Sequence, residues 1–217
     1  MSQQVNLAIF GAGGHAKVVA DLAVLAGWKN LSFFEDGFTG KQKFEQWEVV
    51  GDLDDLLREK LRYQGVIVAI GNCAARREKL TRIICAGLNA VSLIHPSAIV
   101  SQYANIGRGC TLMAGSIVNA FSRIGDGCII NTAATVDHDC AIGNYVHIAP
   151  GANIAGTVRI GEGSWIGIGS TVIQNICLGQ NVTVGAGAVV LNDIADSLTV
   201  VGVPARPIMS APKPLAR

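Results

Sequence analysis

From Ile94 to Val190 an aliphatic residue occupies every sixth position without a slip, beginning Ile94, Val100, Ile106, Leu112 and ending Val172, Leu178, Val184, Val190. This makes 17 consecutive hexads. Val, Ile and Leu supply 60 of the 217 residues, so chance would produce so long a run with a probability on the order of 10⁻⁹. The slot four residues after each aliphatic holds Ala, Ser or Cys twelve times and Val or Ile five times, so both slots are expected to point inward. A six-residue period rich in β-branched residues is the pattern of a parallel β-helix, each hexad giving one short strand and one corner. Gly107, Gly125, Gly143, Gly161 and Gly179 add a beat of eighteen. Read as residues that tolerate positive φ at tight corners, they imply three hexads per coil and a triangular prism of five to six coils.

Upstream the pattern changes. Val5 to Phe10 reads as a strand, followed by the glycine turn Gly11 to Ala16 and a helix over Lys17 to Gly27 with apolar Val18, Val19, Leu22 and Leu25. A second strand is expected at Leu31 to Phe34 and ends at Glu35 and Asp36. A helix follows over Leu53 to Leu61, with Asp52 as its N-cap. Gly65 to Ile70 reads as a third strand and Ala74 to Gly87 as a helix. The order βαβ(α)βα implies a small parallel sheet. Three units result: residues 1–92 as a Rossmann-like α/β domain, 93–195 as the solenoid, and 196–217 as a tail closing its open end, with Ala211 to Arg217 expected to be disordered.

Charged residues make up 15% and the net charge is +1, which argues against nucleic acid or an anionic membrane bound over a broad basic surface. The high mean hydropathy belongs to the hexads, because no apolar run approaches the roughly 18 residues of a membrane helix. The polar start, Met1 to Asn6, does not read as a secretory leader, so a cytoplasmic location is expected. Cys110, Cys128 and Cys140 fall in the small inward slot and none of the six cysteines forms a CxxC pair. Neither a disulfide framework nor a metal is expected.

The first turn fits the G-x-G-x-x-A nucleotide fingerprint, with acids about twenty residues on. Gly13 and Gly14 would let a diphosphate approach a helix start, where free N–H groups favour anions. Glu35 or Asp36 would accept from a ribose or base, the choice remaining open. About three strands before the repeat is half a dinucleotide domain, which favours a mononucleotide or nucleotide-sugar over NAD.

Among the four histidines, His138 lies in Asp137-His138-Asp139, where a carboxylate on either side can orient the ring and support its protonated form. A neighbouring acid reaches the ring only in a corner conformation, since adjacent strand residues face opposite ways. His147 lies nine residues on, half a coil away, and like His138 it is outside the inward slots, so both are expected to reach solvent or a partner. A site using both would have to form between subunits, and a cyclic trimer of prisms would supply one.

The turn GAGGHA at Gly11 to Ala16, the hexads, the segment NTAATVDHDC at Asn131 to Cys140 and the ending VGVPAR at Val201 to Arg206 together resemble the left-handed β-helix (hexapeptide-repeat) sugar acyltransferases. The likeness extends over nearly the whole chain and is greatest to bacterial UDP-4-amino-sugar N-acetyltransferases of the bacillosamine type, with sialic-acid O-acetyltransferase-like proteins as a sister group. It implies a Rossmann-like α/β domain before a left-handed parallel β-helix, a homotrimer, acetyl-CoA as co-substrate and a UDP-amino-sugar as acceptor. It further implies His138 as catalytic base, Asp139 as the acid that raises its basicity, and Asn131 as an aid in positioning the sugar. His147, Ile168 and Ala186 would contact the cofactor. Gly13, Gly14, His15, Glu35, Asp36 and Gly71 would hold the UDP-sugar. The family commonly has Glu where this chain has Asp139.

The expected reaction is direct N-acetylation of a UDP-4-amino-4,6-dideoxy sugar. Three other readings stay open: O-acetylation of a sugar hydroxyl, a carbonic-anhydrase-type metalloenzyme with His138 and His147 as inter-subunit zinc ligands, and a non-catalytic trimeric scaffold.

Overall fold

A computed structural model describes residues 5–40 and 42–208. Its first half is a five-stranded sheet. Strand β1 (Asn6–Phe10) leads through α1 (Gly14–Leu25) to β2 (Asn30–Phe34), then to β3 (Gln42–Phe44) and β4 (Trp47–Gly51). Helix α2 (Leu53–Arg58), β5 (Gly65–Val68) and α3 (Cys73–Cys85) complete it. The sheet order is β3-β4-β2-β1-β5, parallel except for the β3–β4 hairpin. The expectation of about three strands is therefore corrected to five. The hairpin lacks an Asn-Gly or Asp-Gly signal and turns instead through Glu45 at φ 54.

Local chemistry sets the helix starts. Asp52 and Asp55 form a reciprocal capping box at α2, and Asn72 caps α3 by accepting from Ala75 N–H. Helix α1 has no side-chain cap; Ala16 N–H donates to Gly13 O at 3.0 Å, and the N–H groups of Gly14 and His15 before it are left open to a ligand. One side of the sheet packs with α1 around Leu7, Ile9, Val19, Leu22 and Phe33, the other with α2 and α3 around Phe10, Leu56, Leu80 and Ile83.

The second half is the parallel β-helix. Seventeen two-residue strands run from Leu93–Ile94 to Val189–Val190, and all but the last three pair in parallel with the strand eighteen residues on, as in Ile117↔Thr135 and Ile129↔His147. They form three sheets, one per face of the prism. From Cys110 to Val190 both inward slots are buried as expected: Leu112, Val136, Ile148, Ile166 and Val184 fill one, while Cys110, Ser122, Ala134, Cys140 and Ser164 fill the other; in the first coil Ile94 is exposed and Val100 and Ile106 are only partly buried. A fully buried Ile or Val side chain contributes about 1.5–3 kcal/mol, so the stacked aliphatics supply most of this core.

The reason offered for the eighteen-residue glycine beat is corrected. None of Gly107, Gly125, Gly143, Gly161 and Gly179 has positive φ. A Cβ at Gly143 would lie 2.7 Å from Glu162 N, and one at Gly161 2.5 Å from Gln180 N. These glycines exist because successive coils touch there. Positive φ falls two residues later and, from Gly109 to Gly187, at each corner, including Gly115, Phe121, Gly127, Ala133, Asp139 and Tyr145.

Residues after the repeat do more than cover an end. Thr199–Val201 extends one sheet, with Thr199 paired to Thr183, and Arg206–Pro207 folds back on it antiparallel. The segment Ala211 to Arg217 lies outside the described residues.

The two halves share one joint, on the face that carries His147 and Trp165. Arg76 of α3 is buried at 1% exposure with no carboxylate beside it. Its guanidinium donates to Gly127 O (2.7 Å) and Tyr145 O (2.8 Å) on the solenoid, and to Ile70 O (2.8 Å) and Gly71 O (2.7 Å) after β5. Four carbonyls thereby satisfy a buried cation.

Candidate active site

His138 stands on the corner between the strands Thr135–Val136 and Ala141–Ile142. Asp139 adopts the left-handed conformation, φ 59, which turns its carboxylate back onto the ring. Its Oδ2 lies 2.9 Å from His138 Nδ1. This is the corner geometry that an adjacent acid requires. A carboxylate only accepts, so Nδ1 carries the proton and Nε2 is left as the base. Asp137 accepts from His138 N–H (2.8 Å) and from Asn119 Nδ2 (2.9 Å). The hydrogen bond that His138 donates to Asp139, helped by the charges of Asp137 and Asp139, raises the His138 pKa above its ordinary value. The imidazole is more than half exposed. A groove of about 430 Å³ begins beside Asp137 and runs along one prism face past Asn119, Thr135, Asn153 and Gln174.

His147 is in the opposite situation, and the expectation that it reaches solvent or a partner is corrected. It is 4% exposed. It does point out of the prism, but the α/β half covers that face. Nδ1 lies 3.2 Å from Gly71 O, which can only accept, so Nδ1 donates and Nε2 takes a hydrogen bond from Asn131 Nδ2 at 3.0 Å. Burial lowers its pKa to about 3. Trp165 packs on the ring at 4.1 Å between centroids. Since both nitrogens serve its own chain, His147 does not offer the second imidazole that an inter-subunit zinc site needs. Asn131 is likewise placed with His147 and not with His138.

His15, in the first turn of α1, lies 6.3 Å from His147 between ring centroids. Burial lowers its pKa to about 4, and its buried Nε2 has no protein partner. The glycines around it divide into two kinds. Gly11 has φ +115 and a Cβ there would strike Ala69 O at 2.9 Å, so the fold itself requires it. Gly13, Gly14 and Gly71 face open space instead, which is room for a ligand. Glu35 Oε2 accepts from Ala12 N–H in the turn, while Asp36 pairs with Lys79 Nζ at 2.7 Å. A crevice of about 640 Å³ is lined by Gly71, Asn72, Cys73, Ala74, Gly163, Trp165 and Thr183, so that of the residues above only Gly71 belongs to its wall. Gly71 follows the carboxyl end of β5, the end at which open α/β sheets take ligands.

Ile168 and Ala186 stack on successive coils of a different corner, joined by Gly187 N–H to Ile168 O at 2.8 Å. Ile168 is 59% exposed. One chain therefore holds three separated parts: the imidazole corner, the crevice at Gly71 and Trp165 on another face, and the Ile168–Ala186 edge. Sequence reasoning missed Arg76, Trp165 and Asn72. Only Asn72 left a signal, as an Asn directly before a helix.

Residues 6–83 match the PglD N-terminal domain, and residues 121–156 and 157–192 match the bacterial transferase hexapeptide repeats. The acetyltransferase domain of PglB from Neisseria gonorrhoeae, solved in complex with acetyl coenzyme A, is 44% identical with TM-score 0.89, the match covering 94% of this chain and 98% of that one. PerB from Caulobacter crescentus, in complex with CoA and GDP-perosamine, is 37% identical with TM-score 0.89, over 94% and 97% of the two chains. UDP-N-acetylbacillosamine N-acetyltransferase of Bacillus subtilis is 39% identical over 115 residues; the match spans 50% of this chain and about half, 51%, of that curated relative. The chain belongs to the left-handed β-helix, hexapeptide-repeat family of sugar acetyltransferases.

Proposed function

We propose that this protein transfers an acetyl group from acetyl-CoA to the 4-amino group of a UDP-linked 4-amino-4,6-dideoxy sugar. The observation that carries the reading is the His138–Asp139 pair: an exposed imidazole, protonated at Nδ1 and free at Nε2, on a β-helix whose relatives are solved with acetyl-CoA or with CoA and a nucleotide-linked sugar. The amine nitrogen attacks the thioester carbonyl and His138 Nε2 takes its proton, while Asp139 stabilises the imidazolium. Collapse of the tetrahedral intermediate breaks the C–S bond, and the CoA thiolate leaves with a proton from His138. A backbone N–H donating to the oxyanion would contribute about 3 kcal/mol.

The uncapped start of α1, with Gly13, Gly14 and His15, would receive the diphosphate. Glu35 and Asp36 would hold the nucleotide, and Gly71 lines the crevice. Because crevice and imidazole lie on different faces, one active site draws on two subunits, and a cyclic trimer closes three such seams. Asn131 and His147 then support the crevice from beneath. Ile168 and Ala186 would line the CoA groove of the neighbouring subunit. We assign residues 1–92 to the nucleotide-sugar and 93–195 to acetyl transfer. No helix among the described residues is long and apolar enough to cross a membrane.

The test is acetyl-CoA consumption with a panel of UDP-4-amino sugars and their 4-hydroxy counterparts. Turnover of the amines alone is expected. Turnover of the hydroxyl sugars alone would replace N-acetylation by O-acetylation, and no turnover with wild-type levels of sugar binding would point to a scaffold.

A further inference from the structure

Gly156 occupies the corner slot of His138 one coil later, eighteen residues on. In successive coils that slot holds Ala120, His138, Gly156, Gln174 and Asn192, so only the residue next above the imidazole lacks a side chain. Backbone conformation does not demand glycine there, because Gly156 is absent from the positive-φ positions. Nor does the contact between coils demand it. At Gly143 or Gly161 an added Cβ would strike the backbone of the next coil, whereas at Gly156 the three nearest atoms all belong to the His138 ring: Cε1 and Nε2 at 2.6 Å and Cδ2 at 3.3 Å. The missing side chain is the space the imidazole fills.

We propose that Gly156 is a positioning residue for His138, a seat that sets where Nε2 points. This rests on the reading of His138 as the base. The ring is held from two sides: Asp139 fixes Nδ1 at 2.9 Å, and the bare Cα of Gly156 receives the opposite edge. The seat cannot retreat. Its flanking backbone is tied into the coil by Thr157 N–H to His138 O (2.9 Å) and Asn175 N–H to Gly156 O (3.1 Å). The half-exposed ring can move, so a methyl group at 156 would swing the imidazole off its corner, breaking the Asp139 bond and displacing Nε2. A displacement near 1 Å costs about 100-fold in rate.

The experiment is a double-variant cycle of Gly156→Ala and His138→Ala, with kcat, KM for both substrates, Tm and the NMR titration of His138 measured on the assembled protein. Gly156→Ala is expected to lower kcat about 10- to 100-fold, leave both KM values within about twofold, and bring the His138 pKa down toward about 6.5. In the His138→Ala background the same change is expected to alter neither residual turnover nor Tm, because nothing remains for the methyl to strike. An active His138→Ala protein would sink the assignment of the base. An inactive one, paired with a Gly156→Ala protein of normal kcat and unmoved His138 titration, would sink the seat alone. A Tm loss of equal size in both backgrounds would make Gly156 a packing residue and overturn the proposal as well.

Discussion

His138 and His147 occupy one coil of one solenoid, nine residues apart, and the fold treats them in opposite ways. His138 is exposed on a corner, flanked by two carboxylates, with its pKa raised. His147 is buried under the α/β half, hydrogen-bonded at both nitrogens by neutral groups, with its pKa lowered to about 3. The difference follows from what covers each face. Desolvation without a compensating charge drives an imidazole neutral, while exposed carboxylates favour the charged form. An imidazole that must gain and lose a proton near neutrality therefore belongs on the uncovered corner, and one that must stay neutral and hold a joint belongs under the lid.

The contrast is tested most severely by removing each ring in turn. His138→Ala is expected to lower kcat by roughly 10²–10⁴ with Tm held, since the ring packs little. His147→Ala is expected to do the reverse, lowering Tm before it slows turnover. A His138 variant that unfolds, or a His147 variant that is stable and inactive, would exchange the roles.

Acid comes next. His15 and His147 bind protons in the unfolded chain below about pH 6.5 but in the folded chain only near pH 4 and pH 3. Between those limits the unfolded state holds more protons, so stability falls as pH falls. The loss between pH 6.5 and 4.5 reaches up to about 5 kcal/mol for the two rings together, measurable by urea unfolding at both pH values. His138 has the opposite sign: its raised pKa places the acid limb of kcat/KM above pH 6.5. Asp139→Asn is expected to move that limb down toward about 6.5, and an unmoved limb would detach Asp139 from the ring.

Arg76→Met tests the joint that buries His147. Four carbonyls lose their donor, and a loss of about 3 kcal/mol is expected in urea unfolding, together with a weaker grip on the nucleotide-sugar because Gly71 is one of the four. Gly143→Ala, away from both histidines, is expected to cost about 1–3 kcal/mol by overpacking one coil against the next, without touching the pH profile of kcat.

Much of this was legible in the residues. Aliphatic spacing carried the number of strands and both inward slots, and the eighteen-residue glycine beat carried the three faces, because a solenoid repeats one local environment and so writes its period into the chain. The glycine beat was visible too, but its cause was not. Whether a glycine answers to φ or to a neighbouring coil depends on what stands above it, eighteen residues away. The β3–β4 hairpin escaped because its turn uses Glu45 in the left-handed region and no glycine signal.

Placement of the histidines shows where reading ends. Hexad register established that His138 and His147 both point out of the prism, and the DHD run established that acids were at hand. Register says nothing of what lies outside the prism. The α/β half docks on one face through Arg76 and Gly71, turning an outward His147 into a buried one, while Asn131 reaches it from the neighbouring strand of the same sheet. The left-handed turn at Asp139 and the bare Cα of Gly156 then orient the remaining ring. Periodicity is local and survives in the order of residues; burial, protonation and the aim of a nitrogen depend on groups far apart in the chain, and those meet only in the folded molecule.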